Sequence, residues 1–201
     1  SLRYGENPHQ SATFYKAGKV RNVLIVCAEE PTRMADWSDR RTCVLFGDGA
    51  GAAVLTPGDN IRSISLSAAS ATDKLWQMRM LQPTPYISKD EIDAPLQMKG
   101  QDVFKFAVRA ASDDIARALE DSGLSAGEID YYLLHQANIR IINSIQNYLE
   151  QPAEKFPTNL ECHGNSSSAS CPILLDECNR KGMFRKGDKI AMSAFGAGFV
   201  S

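Results

Sequence analysis

Two residues stand out as polar side chains at positions where chemistry could take place. His135 closes the apolar run YYLLHQ and precedes an amphipathic stretch. That places it at the carboxyl end of a strand, the edge of an α/β sheet at which ligands bind. Asn165 follows Gly164 in HGNSSSAS, a turn that opens a helix. Each has a plainer reading: a core histidine with both nitrogens satisfied, and a helix cap. Three serines after Asn165 would serve equally well as caps. The cysteines offer less. There are five, at positions 27, 43, 162, 171 and 178, and none forms a C-x-x-C pair. A zinc site is therefore not expected, and no metal is assigned. Cys27 and Cys43 sit in apolar, strand-like runs and are read as buried free thiols. GDGAG (47–51) lacks the G-x-G-x-x-G spacing and no helix follows it, so it is not a dinucleotide loop.

The elements that must position these residues follow from the pattern. VLIVCAEE is a short buried strand stopped by Pro31. RTCVLFGDGAGAAVLT reads as strand, glycine kink, strand, where glycines mark close backbone approach. IRSISLSAA alternates and reads as another strand. Residues 70–100, with Pro83, Pro85 and Pro95, are irregular, and a long loop of this kind is often functional. Residues 101–121 form the clearest helix, with Phe104, Ala107, Ala111, Ile115 and Leu119 at helical spacing and Gly123 as its stop. Ser125-x-x-Glu128 resembles a capping box. A second helix spans 138–150, a third 168–181, and KIAMSAFGAG is a last strand. Strands alternating with helices predict an α/β layered fold with a largely parallel sheet.

Composition narrows the partners. Of 201 residues, 43% are hydrophobic and 23% charged, an ordinary globular balance. A net charge of −2 and a pI near 5.9 give no electrostatic footprint for nucleic acid. No apolar run reaches the roughly 20 residues of a membrane span. Residues 1–19 contain no apolar signal core. With an odd number of cysteines, these features predict a cytoplasmic protein.

HQANIRII and HGNSSSAS, their key residues 30 apart, resemble the two C-terminal signatures of type III β-ketoacyl-acyl-carrier-protein synthases, in the thiolase-like superfamily. DWSDRRTCVLFGDGAGAAVL is similar to that family's central strand and glycine turn. MKGQDVFKFAV resembles its tunnel-lining helix, and KGDKIAMSAFGAGF its final glycine-rich turn. The resemblance runs from about Val20 to the end. It implies an incomplete thiolase-like fold: last strands of the N-terminal half over 20–60, then the C-terminal synthase domain over 61–201 with a truncated final strand.

The implied function is initiation of fatty-acid biosynthesis by decarboxylative Claisen condensation of acyl-CoA with malonyl-acyl-carrier protein. His135 and Asn165 would be the catalytic pair, two neutral donors for the enolate oxygen. Arg40, Phe104 and Asn138 match residues that contact CoA and its pantetheine, and Arg140 an arginine that docks the acidic carrier protein. No cofactor beyond these substrates is implied. A homodimer is. The family's nucleophile lies in an Ala-Cys-Ser/Ala-Gly segment at a helix start, where thiol pKa is lowered. This sequence contains no such segment. The isolated chain is therefore expected to be inactive in condensation, and a non-catalytic module that binds carrier protein or CoA is the alternative. Residues 1–19 look foreign: SLRYGENPHQSATFYK resembles the start of the transformylase domain of the bifunctional purine-biosynthesis protein, with Arg3 and Tyr4 at nucleotide-site positions.

Overall fold

The structure is a computed structural model that describes residues 21–40, 42–70, 74–76, 95–196 and 199–201. The resemblance of residues 1–16 to a transformylase, and Pro83 and Pro85, lie outside the described residues.

The strand β5 (Tyr131–Leu134) organises the C-terminal part and pairs in parallel with β6 (Ile190–Ser193). Successive side chains of a strand point to opposite faces, and here both faces are covered. Tyr132 and Leu134 pack against Ala107, Ala111, Ile115 and Leu119 of helix α1 (Gly100–Ser122) and against Ile141, Ile142 and Ile145 of helix α2 (Ile139–Leu149). Leu133 packs on the other side against Leu174 and Cys178 of helix α4 (Ser170–Arg180). This explains why YYLL reads as a continuous apolar run rather than an alternation. Tyr132 is fully buried and stacks on Phe156 at 4.7 Å, while its hydroxyl donates to the Ala126 carbonyl at 2.8 Å.

The helix ends follow the sequence. Gly123 ends α1 with φ 66°, a conformation open to glycine without penalty. Ser125 and Glu128 form the capping box, Ser125 N–H donating to Glu128 Oε2 at 2.9 Å. Asn138 caps α2, its Oδ1 accepting from Arg140 N–H at 2.8 Å.

Strands β1 (Val23–Glu29) and β2 (Gly49–Leu55) form a separate antiparallel pair, with Cys27 opposite Gly51. The inward face of this pair rests on the start of α4. A methyl group on Gly51 would lie 2.9 Å from Pro172 Cβ, and one on Gly49 2.8 Å from Ile173 Cδ1. Only the absence of side chains lets helix and sheet approach this closely. The outward face carries Leu24, Val26, Ala28, Ala50, Ala52 and Val54, all exposed. A third pair, β3 (Leu75–Trp76) with β4 (Gln97–Met98), is antiparallel and two residues long. The very short helix α3 (Leu160–His163) precedes the Asn165 turn.

Three expectations are corrected. The described strands form two antiparallel pairs and one parallel pair, not a largely parallel sheet. Residues 61–69 alternate in sequence but make only a bridge, Ala68 to Val200, because the short tail 199–201 is the backbone they pair with. Residues 42–45 are turns rather than a strand, so Cys43 is not in one. Among the described residues, the ladder contact there is the bridge from Phe46 to Asn165.

Candidate functional site

His135 continues the line of β5 by one residue, its N–H donating to the Ser193 carbonyl of β6 at 2.8 Å. Its side chain is 8% exposed. The imidazole stands edge-on to Phe195, ring centres 5.0 Å apart. Nδ1 lies 2.6 Å from Ser170 Oγ in the first turn of α4. The same oxygen accepts from Gln136 N–H at 3.3 Å. When the remaining Ser170 proton points to Nδ1, the ring proton sits on Nε2. Among the described residues Nε2 has no hydrogen-bond partner. Burial pulls the pKa of His135 down to about 4, so the ring is neutral at physiological pH.

Asn165 is placed by backbone. Its N–H donates to the Leu45 carbonyl at 2.8 Å, and its carbonyl accepts from Gly47 N–H at 3.1 Å. The GDGAG glycines thus serve a positioning role that sequence reasoning saw only as close approach. A methyl group on Gly47 would lie 1.9 Å from the His163 carbonyl oxygen. Asn165 Oδ1 accepts from Ser167 N–H at 2.9 Å. Ser167 has φ 53°, a left-handed conformation uncommon outside glycine, and it closes this turn. With Oδ1 occupied, the amide nitrogen is the atom left to donate.

His135 and Asn165 line one open cavity. At about 3620 Å³ it far exceeds the roughly 300–1,000 Å³ of a single-ligand pocket. Phe104, Asn138 and Arg140 border the same extended open space. Arg40 lies outside the lining, exposed in the turn after Trp37. Phe104 is half-buried and also packs on the α1–β5–α2 core. Residues missed from sequence are Ser170, Gln136, Phe195 and Ser167. Only the serine run after Asn165 signalled any of them.

The cysteines do not supply a nucleophile of the expected kind. Cys171 stands in the first turn of α4, beside the serine that holds His135. A helix start lowers a thiol pKa. Here desolvation outweighs it and pushes the thiol up to about 11. Cys178 is buried and also raised by desolvation, and Cys162 is exposed on α3. Among the described residues no group of three or more His, Cys, Asp or Glu is placed to hold a metal ion, and no helix is long and apolar enough to cross a membrane.

Comparison with known proteins adds an independent line. The family model described as 3-oxoacyl-[acyl-carrier-protein] synthase III matches residues 9–73, and the model for that enzyme's C terminal matches residues 119–201. The first match begins inside the segment read as foreign. β-Ketoacyl-[acyl-carrier-protein] synthase III of Clostridium novyi is 44% identical over 94% of this chain. The crystal structure of 3-oxoacyl-[acyl-carrier-protein] synthase III from Aquifex aeolicus superposes with a TM-score of 0.83 at 36% identity over 96% of the chain. The enzyme of the same name from Pseudomonas aeruginosa gives 0.86 at 32% identity over 98%. The chain spans about 60% of the length of each of these three.

Proposed function

We propose that this chain, similar in sequence and fold to 3-oxoacyl-[acyl-carrier-protein] synthase III proteins, carries the donor half of a decarboxylative condensing site. The observation that carries this reading is the paired fixing of His135 and Asn165. Each has one polar atom tied by a serine, Nδ1 to Ser170 and Oδ1 to Ser167, and each keeps an N–H for the shared cavity.

Decarboxylation of a malonyl thioester moves the C–C bond electrons onto the thioester, releases carbon dioxide and leaves an enolate. The charge sits on the thioester oxygen. Two neutral, already oriented donors stabilise it without reorganising during the reaction. A neutral imidazole suits this better than an imidazolium, which would give up its proton to the enolate. Acyl-CoA and malonyl-acyl-carrier protein enter as substrates, with no further cofactor, in the initiation of fatty-acid synthesis. Arg140, exposed at the start of α2 on the cavity wall, docks the acidic carrier protein, and Phe104 and Asn138 line the pantetheine path. Arg40 serves the nucleotide end of CoA, away from the cavity. Assembly as a homodimer in the cytoplasm completes the reading.

Condensation also needs an acyl-cysteine, and the protonated Cys171 argues that this chain does not form one by itself. The test is a mass measurement. Incubated with malonyl-acyl-carrier protein, the chain should convert it slowly to the acetyl form, and His135→Ala or Asn165→Ala should abolish the conversion. With acetyl-CoA, none of the five cysteines should gain an acetyl group. Conversion unaffected by either variant, or a stable adduct, would overturn the proposal. The second reading, a carrier-binding module without chemistry, rests on the exposed Arg140 and is met by binding without conversion.

A further inference from the structure

The distance between two donors decides whether they reach one oxygen, so whatever fixes that distance takes part in the site. Ser170 holds His135 from the start of α4. Seven residues later, two helical turns or about 10 Å along the axis, Glu177 of the same helix holds the other side. Its Oε1 accepts from His163 Nε2–H at 2.5 Å, and its Oε2 accepts from Asn159 Nδ2–H at 3.4 Å. Asn159 and His163 bracket α3, the single turn that delivers Gly164 and Asn165. The bridge then returns to the histidine strand. Asn159 N–H donates to Gln136 Oε1 at 3.2 Å, and Gln136, fully buried, donates from Nε2 to the Leu134 carbonyl at 2.7 Å.

We infer that Glu177 is a positioning residue that sets the spacing of His135 and Asn165 through the bridge Gln136–Asn159–Glu177–His163. This rests on the reading of that pair as the donor site. The bridge is unlike ordinary core packing in one respect. Asn159 is 4% exposed, and its Oδ1 is buried without a hydrogen-bond partner among the described residues. An apolar residue there would avoid that cost but would lose the contact that the amide nitrogen makes to Glu177. Lys181, 3.5 Å from Glu177 Oε2, is the other charged group facing the carboxylate.

Nuclear magnetic resonance reports on the bridge whether or not the chain turns over substrate. The Asn165 side-chain amide and the His135 ring signals are assigned by their loss in Asn165→Asp and His135→Ala. Glu177→Gln keeps the shape of the side chain but sets an N–H donor against one of its two donor partners. Both reporter signals should shift in Glu177→Gln and in Glu177→Ala. Both should stay in place in Asp176→Ala, which removes the neighbouring exposed pair with Arg180 (2.6 Å) from the same helix. Decarboxylation should fall on the order of 100-fold in Glu177→Ala, the scale of an ångström of misplacement. Shifts without any wild-type decarboxylation would support the bridge while removing the proposed function. Unmoved reporters in a folded Glu177→Gln, or equal shifts in Asp176→Ala, would overturn the bridge. Should Glu177→Ala not fold, the Glu177→Gln and Asp176→Ala comparison decides alone.

Discussion

Gly47 and His163 touch so closely that a methyl group on the glycine would lie 1.9 Å from the histidine's carbonyl oxygen. The atom it would meet is backbone, so no side chain can swing aside to make room. The contact presses the 45–47 turn onto the segment that carries Asn165. Gly47→Ala should therefore cost about 1–3 kcal/mol, the usual range for forced overpacking, and displace the Asn165 amide. Urea unfolding gives the first quantity and decarboxylation the second. An alanine variant with unchanged midpoint and rate would mean that the turn yields freely.

The buried His135 makes stability depend on pH. Its folded value, about 4, lies below the roughly 6.5 of a free histidine. Below pH 6.5 the unfolded chain takes up a proton that the folded chain refuses. The contribution of this residue thus declines as pH falls from about 6.5 to about 4, by up to roughly 3 kcal/mol, and is level above that window. His135→Gln should flatten this limb. Denaturant midpoints for both proteins across the window decide it, and parallel pH slopes would show that His135 titrates normally.

Ser170→Ala should change which nitrogen of His135 carries the proton. The proposed donor role has Ser170 Oγ–H donating to Nδ1, 2.6 Å away, with the ring proton on Nε2. Removing the hydroxyl leaves a buried acceptor unsatisfied, at a cost of about 1–3 kcal/mol, and frees the ring to adopt the other tautomer. Nitrogen chemical shifts of the imidazole read this directly. A variant ring still protonated only at Nε2 would show that Ser170 does not set the tautomer.

The outward face of the β1–β2 pair predicts behaviour in solution. Leu24, Val26 and Val54 are each 60% exposed, with alanines between them. Apolar side chains exposed together on one sheet face invite association with other chains. The purified chain should scatter light and bind a hydrophobic dye at micromolar concentration, and Val26→Lys with Val54→Lys should reduce both. A clean monomer with a sharp thermal transition and no dye binding would refute this.

Sequence reading reached the parts of this fold that are local. Ala107, Ala111, Ile115 and Leu119 announce α1 because a helix satisfies its own backbone, and Gly123 ends it for the same reason. It failed at 61–69 and 42–45, where side-chain pattern suits a strand but pairing depends on what lies alongside. The His135 and Asn165 segments were legible through their likeness to a known family. The bridge from Gln136 through Asn159 and Glu177 to His163 was not. Each of its links joins residues that are unremarkable alone and meet only once α3 and α4 have packed against β5.

Asn165 also carries a consequence in time. Its two backbone partners, Leu45 and Gly47, lie roughly 120 residues earlier in the chain, a separation that slows folding. A ribosome must finish almost the whole C-terminal segment before that turn has anything to bind. The backbone contacts that place Asn165 thus form only after the chain has been made past it. The amide protons of Asn165 and Gly47 should exchange with solvent as a unit, and a chain halted before Asn165 holds a strand pair with no site.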